Sequence, residues 1–318
     1  MADDSNIRPF NIAVSDEDLE LLSTKLALAR FPDELDLPLD QAWDWGIPLA
    51  VLKPVVEYWR TLYNWRAVEE RLNRTIPQFI TQIDSRGHGP QEIHFVHKRS
   101  DSPNAIPLLF IHGWPGNFLE VSKMLDGLAS PTDPKHPSFH VVAPSIPGYV
   151  FSQRATTPGM DVKETAFVFD KLMAKLGYPY YLAQGGDLGA RVCRGLAMFH
   201  QESCLGTHAN LISYGLPSFW RNPLVSLKLM LGRLGLPGGY TQDEMEGLER
   251  AHEFSKTGGA YRTLAVALTD SPVGLLAWIG EKMYAWTDNY PWTPEELITW
   301  TMLQVFFDYL RLETTNTS

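Results

Sequence analysis

The segment Gly185-Gly186-Asp187-Leu188-Gly189 directly follows the apolar run Tyr180-Tyr181-Leu182-Ala183. Glycines on both sides of one polar residue, between an apolar run and an amphipathic stretch, meet the demands of a sharp strand-to-helix turn. Such a turn strains the backbone at its apex and brings helix and strand together, so the flanking positions tolerate no side-chain bulk. At this apex, where folds of this kind present a nucleophile, stands the carboxylate of Asp187, which points to an enzyme. A carboxylate attacks to give an alkyl ester rather than an acyl ester. The implied substrates carry a leaving group on sp3 carbon, above all epoxides and alkyl halides.

The rest of the chain must therefore supply a sheet with helices on its faces. Its 318 residues, 44% of them hydrophobic, suit one large α/β domain or a core with a smaller domain inserted. Lys and Arg number 27 against 37 Asp and Glu, a formal charge of -10, and form no basic patch for nucleic acid or an anionic membrane. The two cysteines, Cys193 and Cys204, cannot frame a disulfide scaffold, so a reducing compartment is expected. Met1-Ala2-Asp3-Asp4-Ser5 lacks the basic and apolar regions of a signal peptide, and no run of ~20 apolar residues offers a membrane anchor. The reading is a soluble, cytoplasmic protein.

Residues 1–90 read as a largely helical N-terminal segment packing on core and lid. Ser15 and Asp18 cap a first helix whose Leu19, Leu22 and Leu26 share a face. A second helix follows Pro48, with Leu52, Val55, Val56, Trp59 and Leu62 as its apolar stripe and Pro54 as an alternative first turn. Trp43, Trp45, Trp59 and Trp65 read as core.

Residues 91–213 read as the α/β core. Ile93 to His97, Ile106 to Ile111, Phe139 to Ala143 and Cys204 to Leu211 have strand character, and Asp161 to Leu176 has helical spacing closed by Gly177. The alternation of strand and helix argues for a doubly wound sheet. Residues 214–310 read as a helical lid. Thr241 with Glu244 and Thr293 with Glu296 have capping-box spacing, and Pro294 stands at a first helical position. Residues 311–318 are polar and are expected to be disordered.

The loop His112-Gly113-Trp114-Pro115-Gly116 follows the strand ending at Ile111, where such a fold places half of an oxyanion hole. Backbone N–H groups of Trp114 and Leu188 are its candidate donors, and Pro115 is a candidate for a cis bond. These residues resemble the α/β-hydrolase-fold epoxide hydrolases, specifically their microsomal-type branch with soluble fungal members. The resemblance extends over about 300 residues. It includes Arg8-Pro9-Phe10, Ala29-Arg30-Phe31-Pro32, Tyr58-Trp59-Arg60, Trp65-Arg66, His94-Phe95-Val96-His97, Pro144-Ser145-Ile146-Pro147-Gly148-Tyr149, and the stretch Leu268 to Lys282. It implies that Asp187 opens an apolar epoxide toward a vicinal diol, that a lid tyrosine protonates the departing oxygen, and that a His with an acidic partner activates water against the ester. Gly258-Gly259-Ala260-Tyr261 matches the family's spacing, which makes Tyr261 the proton donor. Trp220, Trp278, Tyr284 and Trp286 furnish the lid over the substrate.

The resemblance stops near Leu303. Gln304-Val305 stands where a Tyr-Trp pair is expected, and Tyr309 has mismatched surroundings, so a second lid tyrosine is not placed. The acid and His that follow the nucleophile in this fold are not found, which leads to the expectation that the last strands of the core are missing, that turnover stalls at the ester, and that an exposed sheet edge favours self-association. His112, His208 and His252 read as structural or surface residues. The nine histidines show no zinc-ligand pair and no HExxH, so neither metal nor cofactor is implied. Two other readings fit the same residues. A haloalkane dehalogenase also uses an elbow Asp, but Leu188 stands where that family resembles a halide-binding Trp. A non-catalytic relative would bind a ligand or partner without turnover.

Overall fold

A computed structural model describes residues 6–38, 41–211, 220, 222–247 and 261–305. Its strands are β1 (Arg8–Pro9), β2 (Gln78–Ser85), β3 (Gly89–Lys98), β4 (Ile106–Ile111), β5 (Phe139–Pro144), β6 (Tyr181–Gly185) and β7 (Cys204–Ala209). They form one mixed sheet in the order β1-β2-β3-β5-β4-β6-β7. The pairs from β1 through β5 are antiparallel, whereas β5, β4, β6 and β7 run parallel. β4 and β5 are nearly continuous apolar runs, as expected of strands covered on both faces. Leu109, Ile111, Val141 and Val142 are wholly buried in them.

After the short α4 (Leu125–Ala129), two helices beside this sheet carry the elbow. α5 (Val162–Lys175) begins at Asp161, whose side chain accepts from the Glu164 N–H, and ends at Gly177 with φ 82°. Its Val168, Phe169 and Leu172 are fully buried. α6 (Asp187–Phe199) packs on α5 at Gly195, where an added Cβ would lie 3.1 Å from the Ala166 Cβ.

The N-terminal segment holds α1 (Asp16–Leu28), α2 (Leu49–Thr61) and α3 (Trp65–Thr75), and three details differ from the expectation. β2 lies inside the stretch read as helical. Its backbone is claimed by β3 across a tight turn at Gly87, φ 88°, and that pairing is not a local property of its polar sequence. Leu62 is 71% exposed because it caps α2 instead of continuing the stripe. Trp43 and Trp45 are 41% and 79% exposed because they stand in a turn before α2, while Trp59 and Trp65 are buried. Pro54 lies within α2, which starts at Leu49.

The described residues of the stretch read as a lid are helical: α7 (Pro223–Arg233), α8 (242–247), α9 (Tyr261–Asp270), α10 (Pro272–Ala285) and α11 (Pro294–Val305). Both capping boxes form. Glu244 accepts from the Thr241 N–H at 2.7 Å and Glu296 from the Thr293 N–H at 3.0 Å, and each threonine hydroxyl accepts from the glutamate N–H in return. The N-terminal helices brace this layer: Tyr63 Oη meets Thr299 Oγ1 at 3.0 Å, and Lys25 pairs with Asp270 at 2.9 Å. His252, Tyr309 and the polar tail lie outside the described residues. Among the described residues no strand pairs with the outer edge of β7, and no helix is long and apolar enough to cross a membrane.

Candidate active site

β6 delivers the chain to the elbow and α6 takes it away, with Asp187 between them at φ 49°. That left-handed conformation costs a non-glycine residue about 1–3 kcal/mol, and persists only where the surroundings impose it. Here they do. A Cβ on Gly185 would stand 2.4 Å from the carbonyl carbon of Gly189, and one on Gly189 only 2.2 Å from the Ile111 oxygen. α6 is thus seated against both β6 and β4 through backbone alone, and Asp187 is held on the β4 side.

The loop leaving β4 meets it there. The Trp114 N–H donates to Asp187 Oδ1 at 2.9 Å, so the expected donor already engages the carboxylate. The Trp114-Pro115 bond is cis. His112, 1% exposed, organises the same peptide. Its Nε2 accepts from the Ile146 N–H at 3.0 Å, which leaves the ring proton on Nδ1 to donate to the Gly113 carbonyl at 2.9 Å. The carbonyl so engaged belongs to the peptide whose N–H faces Asp187. α11 secures the far side of the loop, where Trp300 Nε1 and Gln304 Nε2 both donate to the Pro115 carbonyl, at 3.3 and 2.7 Å. Glu120 Oε1 accepts from the Gly113 N–H at 3.1 Å. Sequence reasoning missed Gln304 and Glu120. The Gln304 contact spans 189 residues, and the only local sign was its departure from the family pattern.

Of the remaining expected residues, Leu188 is the second residue of α6. Its N–H is one of the first-turn donors that have no acceptor within the helix. Tyr261 opens α9, and its side chain lies outside the described residues. Trp286 and Trp278 pack on the Trp114 ring at 5.9 and 6.3 Å, with Lys282 Nζ over the Trp278 ring at 4.6 Å. Tyr284 instead meets Trp43, and Trp220 is 90% exposed. A cavity of about 1390 Å3 opens beside the elbow, walled by Trp114, Gly186, Glu120, His208, Trp286 and Trp292 among others. Asp187 itself is not on that wall, so the cavity flanks the carboxylate instead of enclosing it.

Two buried histidines underlie the site, and both make it sensitive to acid. His94, fully buried, bonds Ser145 Oγ through Nδ1 at 2.9 Å and packs on Phe10, Phe118 and Phe151. Burial lowers its pKa from 6.5 to about 3 and that of His112 from 6.5 to about 4. Both are neutral when folded and take up protons when unfolded below pH 6.5. Their contribution is complete above that value and is lost as pH falls toward the folded pKa values. Between pH 6 and 4 stability should fall by about 1 kcal/mol per pH unit for each histidine. Urea midpoints at several pH values measure this, and a flat profile from pH 7 to 5 contradicts it.

Residues 7–121 match the family model described as the epoxide hydrolase N terminus, and residues 106–252 match that of the alpha/beta hydrolase fold. The solved Aspergillus niger epoxide hydrolase superposes with a TM-score of 0.77 at 30% identity, covering 100% of this chain and 79% of that one. The chain belongs to the epoxide hydrolase family. The juvenile hormone epoxide hydrolase of Bombyx mori gives a TM-score of 0.79 at 28% identity, with 99% and 78% covered. A putative epoxide hydrolase of Stigmatella aurantiaca is 37% identical over 89% of this chain, and epoxide hydrolase 1 of Sus scrofa 36% identical over 91%. The chain spans 61% and 64% of the lengths of these two relatives.

Proposed function

We propose that this chain carries out the epoxide-opening half of an epoxide hydrolase reaction, with Asp187 as nucleophile and an apolar epoxide as substrate. The observation that supports this most directly is the bond from the Trp114 N–H to Asp187 Oδ1 at 2.9 Å. It occupies one carboxylate oxygen and leaves Oδ2 for attack. Oδ2 bonds to an epoxide carbon as the carbon–oxygen bond of the ring breaks, and the departing oxygen takes a proton from Tyr261, the donor implied by family spacing. Oδ1 then becomes the carbonyl oxygen of the ester.

The same donor acts differently on the two steps. Its bond is stronger to a carboxylate than to an ester, a small cost to alkylation that is outweighed by holding Oδ2 in line for attack. When water attacks the ester carbon, Oδ1 turns negative, and the Trp114 and Leu188 N–H groups stabilise it, each by roughly 3 kcal/mol of barrier. No group among the described residues is assigned to activating that water.

Incubation with a simple aryl epoxide, followed by intact-mass measurement and peptide mapping, tests the first step. An adduct equal to the mass of the epoxide, located on Asp187, is the expected result. Unmodified protein, or an adduct elsewhere, overturns the reading.

A further inference from the structure

Glu120 enters none of the steps above, yet it lies inside the same loop. It belongs to a 3-10 turn, Phe118–Val121, that is capped by Asn117, whose side chain accepts from the Leu119 N–H at 2.9 Å. From there its Oε1 accepts from the Gly113 N–H at 3.1 Å. A Cβ added to Gly116 would stand 1.7 Å from this oxygen, so only glycine leaves room for the carboxyl under the loop. On the other side, a Cβ on Gly113 would stand 2.8 Å from the Asp187 Cβ. Two carboxyl groups therefore grip one short arch from opposite sides, and the Trp114 N–H projects from that arch.

We propose that Glu120 is a positioning residue for Asp187: by holding the Gly113 N–H it fixes the Gly113-Trp114 peptide so that the Trp114 N–H meets Asp187 Oδ1. This rests on the reading of Asp187 as nucleophile. A charged acceptor makes the stronger bond to an amide, so the arch is held most firmly when Glu120 is ionised. Asp187, at the start of α6, is the ionisable group whose charge acts on it; His112, just past β4, is held neutral by burial, and Lys123 in the next turn is engaged by Glu296 and Tyr290. Burial pushes the Glu120 carboxyl up to about 7, opposed by the Gly113 N–H and reinforced by the charge of Asp187. As pH falls through that value the carboxyl takes up a proton, its bond to Gly113 weakens, and alkylation of Asp187 slows.

The test compares the chain with Glu120→Gln and Glu120→Ala by two readouts. Deuterium uptake of the peptide covering residues 112–119 is measured in the resting protein, and the rate of aryl epoxide adduct formation is followed by intact mass from pH 5.5 to 9. Glu120→Ala should speed exchange at both the Gly113 and the Trp114 amide by about tenfold, the scale of one charge-assisted bond. It should slow alkylation at pH 8 by a similar factor. Glu120→Gln keeps a neutral acceptor and should give at every pH the rate of the protonated unsubstituted chain, between those of Glu120→Ala and the ionised form, so the inflection near pH 7 disappears.

Faster exchange at Gly113 alone, with the rate and pH profile untouched, overturns the proposal. If Glu120→Ala does not fold, an inflection near pH 7 that persists in Glu120→Gln overturns it. If the unsubstituted chain forms no adduct, the nucleophile reading fails, and exchange at the Trp114 amide alone decides whether Glu120 holds that donor.

Discussion

Asp187→Asn is expected to abolish adduct formation with an aryl epoxide, at least ~10³-fold in rate or about 4 kcal/mol of barrier, while leaving the fold intact. The asparagine can still accept from the Trp114 N–H through its amide oxygen, so the 2.9 Å bond that joins α6 to the loop survives. It also tolerates the left-handed region better than most residues. What is lost is the anionic oxygen, and a neutral amide does not open an epoxide at a useful rate. The melting temperature should change by no more than a few degrees. Asp187→Gly removes the strain of φ 49° as well as the carboxylate, and should raise stability by about 1 kcal/mol despite glycine's flexibility in the unfolded chain. Continued adduct formation in Asp187→Asn would place the reactive group elsewhere.

The parts of the site that were legible in the sequence are those fixed by neighbouring residues. Gly185, Asp187 and Gly189 form a turn whose sterics are local, and the Thr293 and Glu296 box closes on itself within one helical turn. The parts that were not legible depend on distant partners. β2 reads poorly as a strand because Gln78 and Thr81 are polar. Both are buried, at 3% and 2% exposure, since Gln78 Oε1 faces His94 Nε2 at 3.2 Å and the Thr81 hydroxyl donates to the Asn6 carbonyl. No periodicity announces such partners. Gln304 looked like a departure from a family pattern, yet it ties α11 to Pro115 in the loop after β4. Glu120 was hidden in an apolar stretch, Phe118-Leu119-Glu120-Val121, where a lone acid reads as a surface residue.

These long-range ties also show how the chain divides its labour. The elbow is rigid because backbone meets backbone, whereas the loop after β4 is held by side chains from three places: His112 within it, Glu120 just after it, and α11. Movement of α11 would thus be felt at Pro115, one residue from the donor that faces Asp187.

The backbone contact at Gly189 carries the largest structural prediction. A Cβ there would lie 2.2 Å from the Ile111 oxygen, 2.8 Å from the His112 oxygen and 2.9 Å from the Ile111 carbon. All three are backbone atoms of β4 and its exit, so no rotamer change relieves the clash, and α6 must move off the sheet. Gly189→Ala should cost about 3 kcal/mol or more, lowering the melting temperature by roughly 6–12 °C. It should also abolish adduct formation, because the shift of α6 carries Asp187 away from the Trp114 N–H. Gly127→Ala is the matched control. Gly127 lies in the short helix Leu125–Ala129 with nothing within 4 Å of an added Cβ, and the same change there should stabilise by about 0.5–1 kcal/mol. Equal melting temperatures for the two variants would show that α6 is not held against β4 through Gly189. Without that contact, the strained conformation of Asp187 would lose its physical cause.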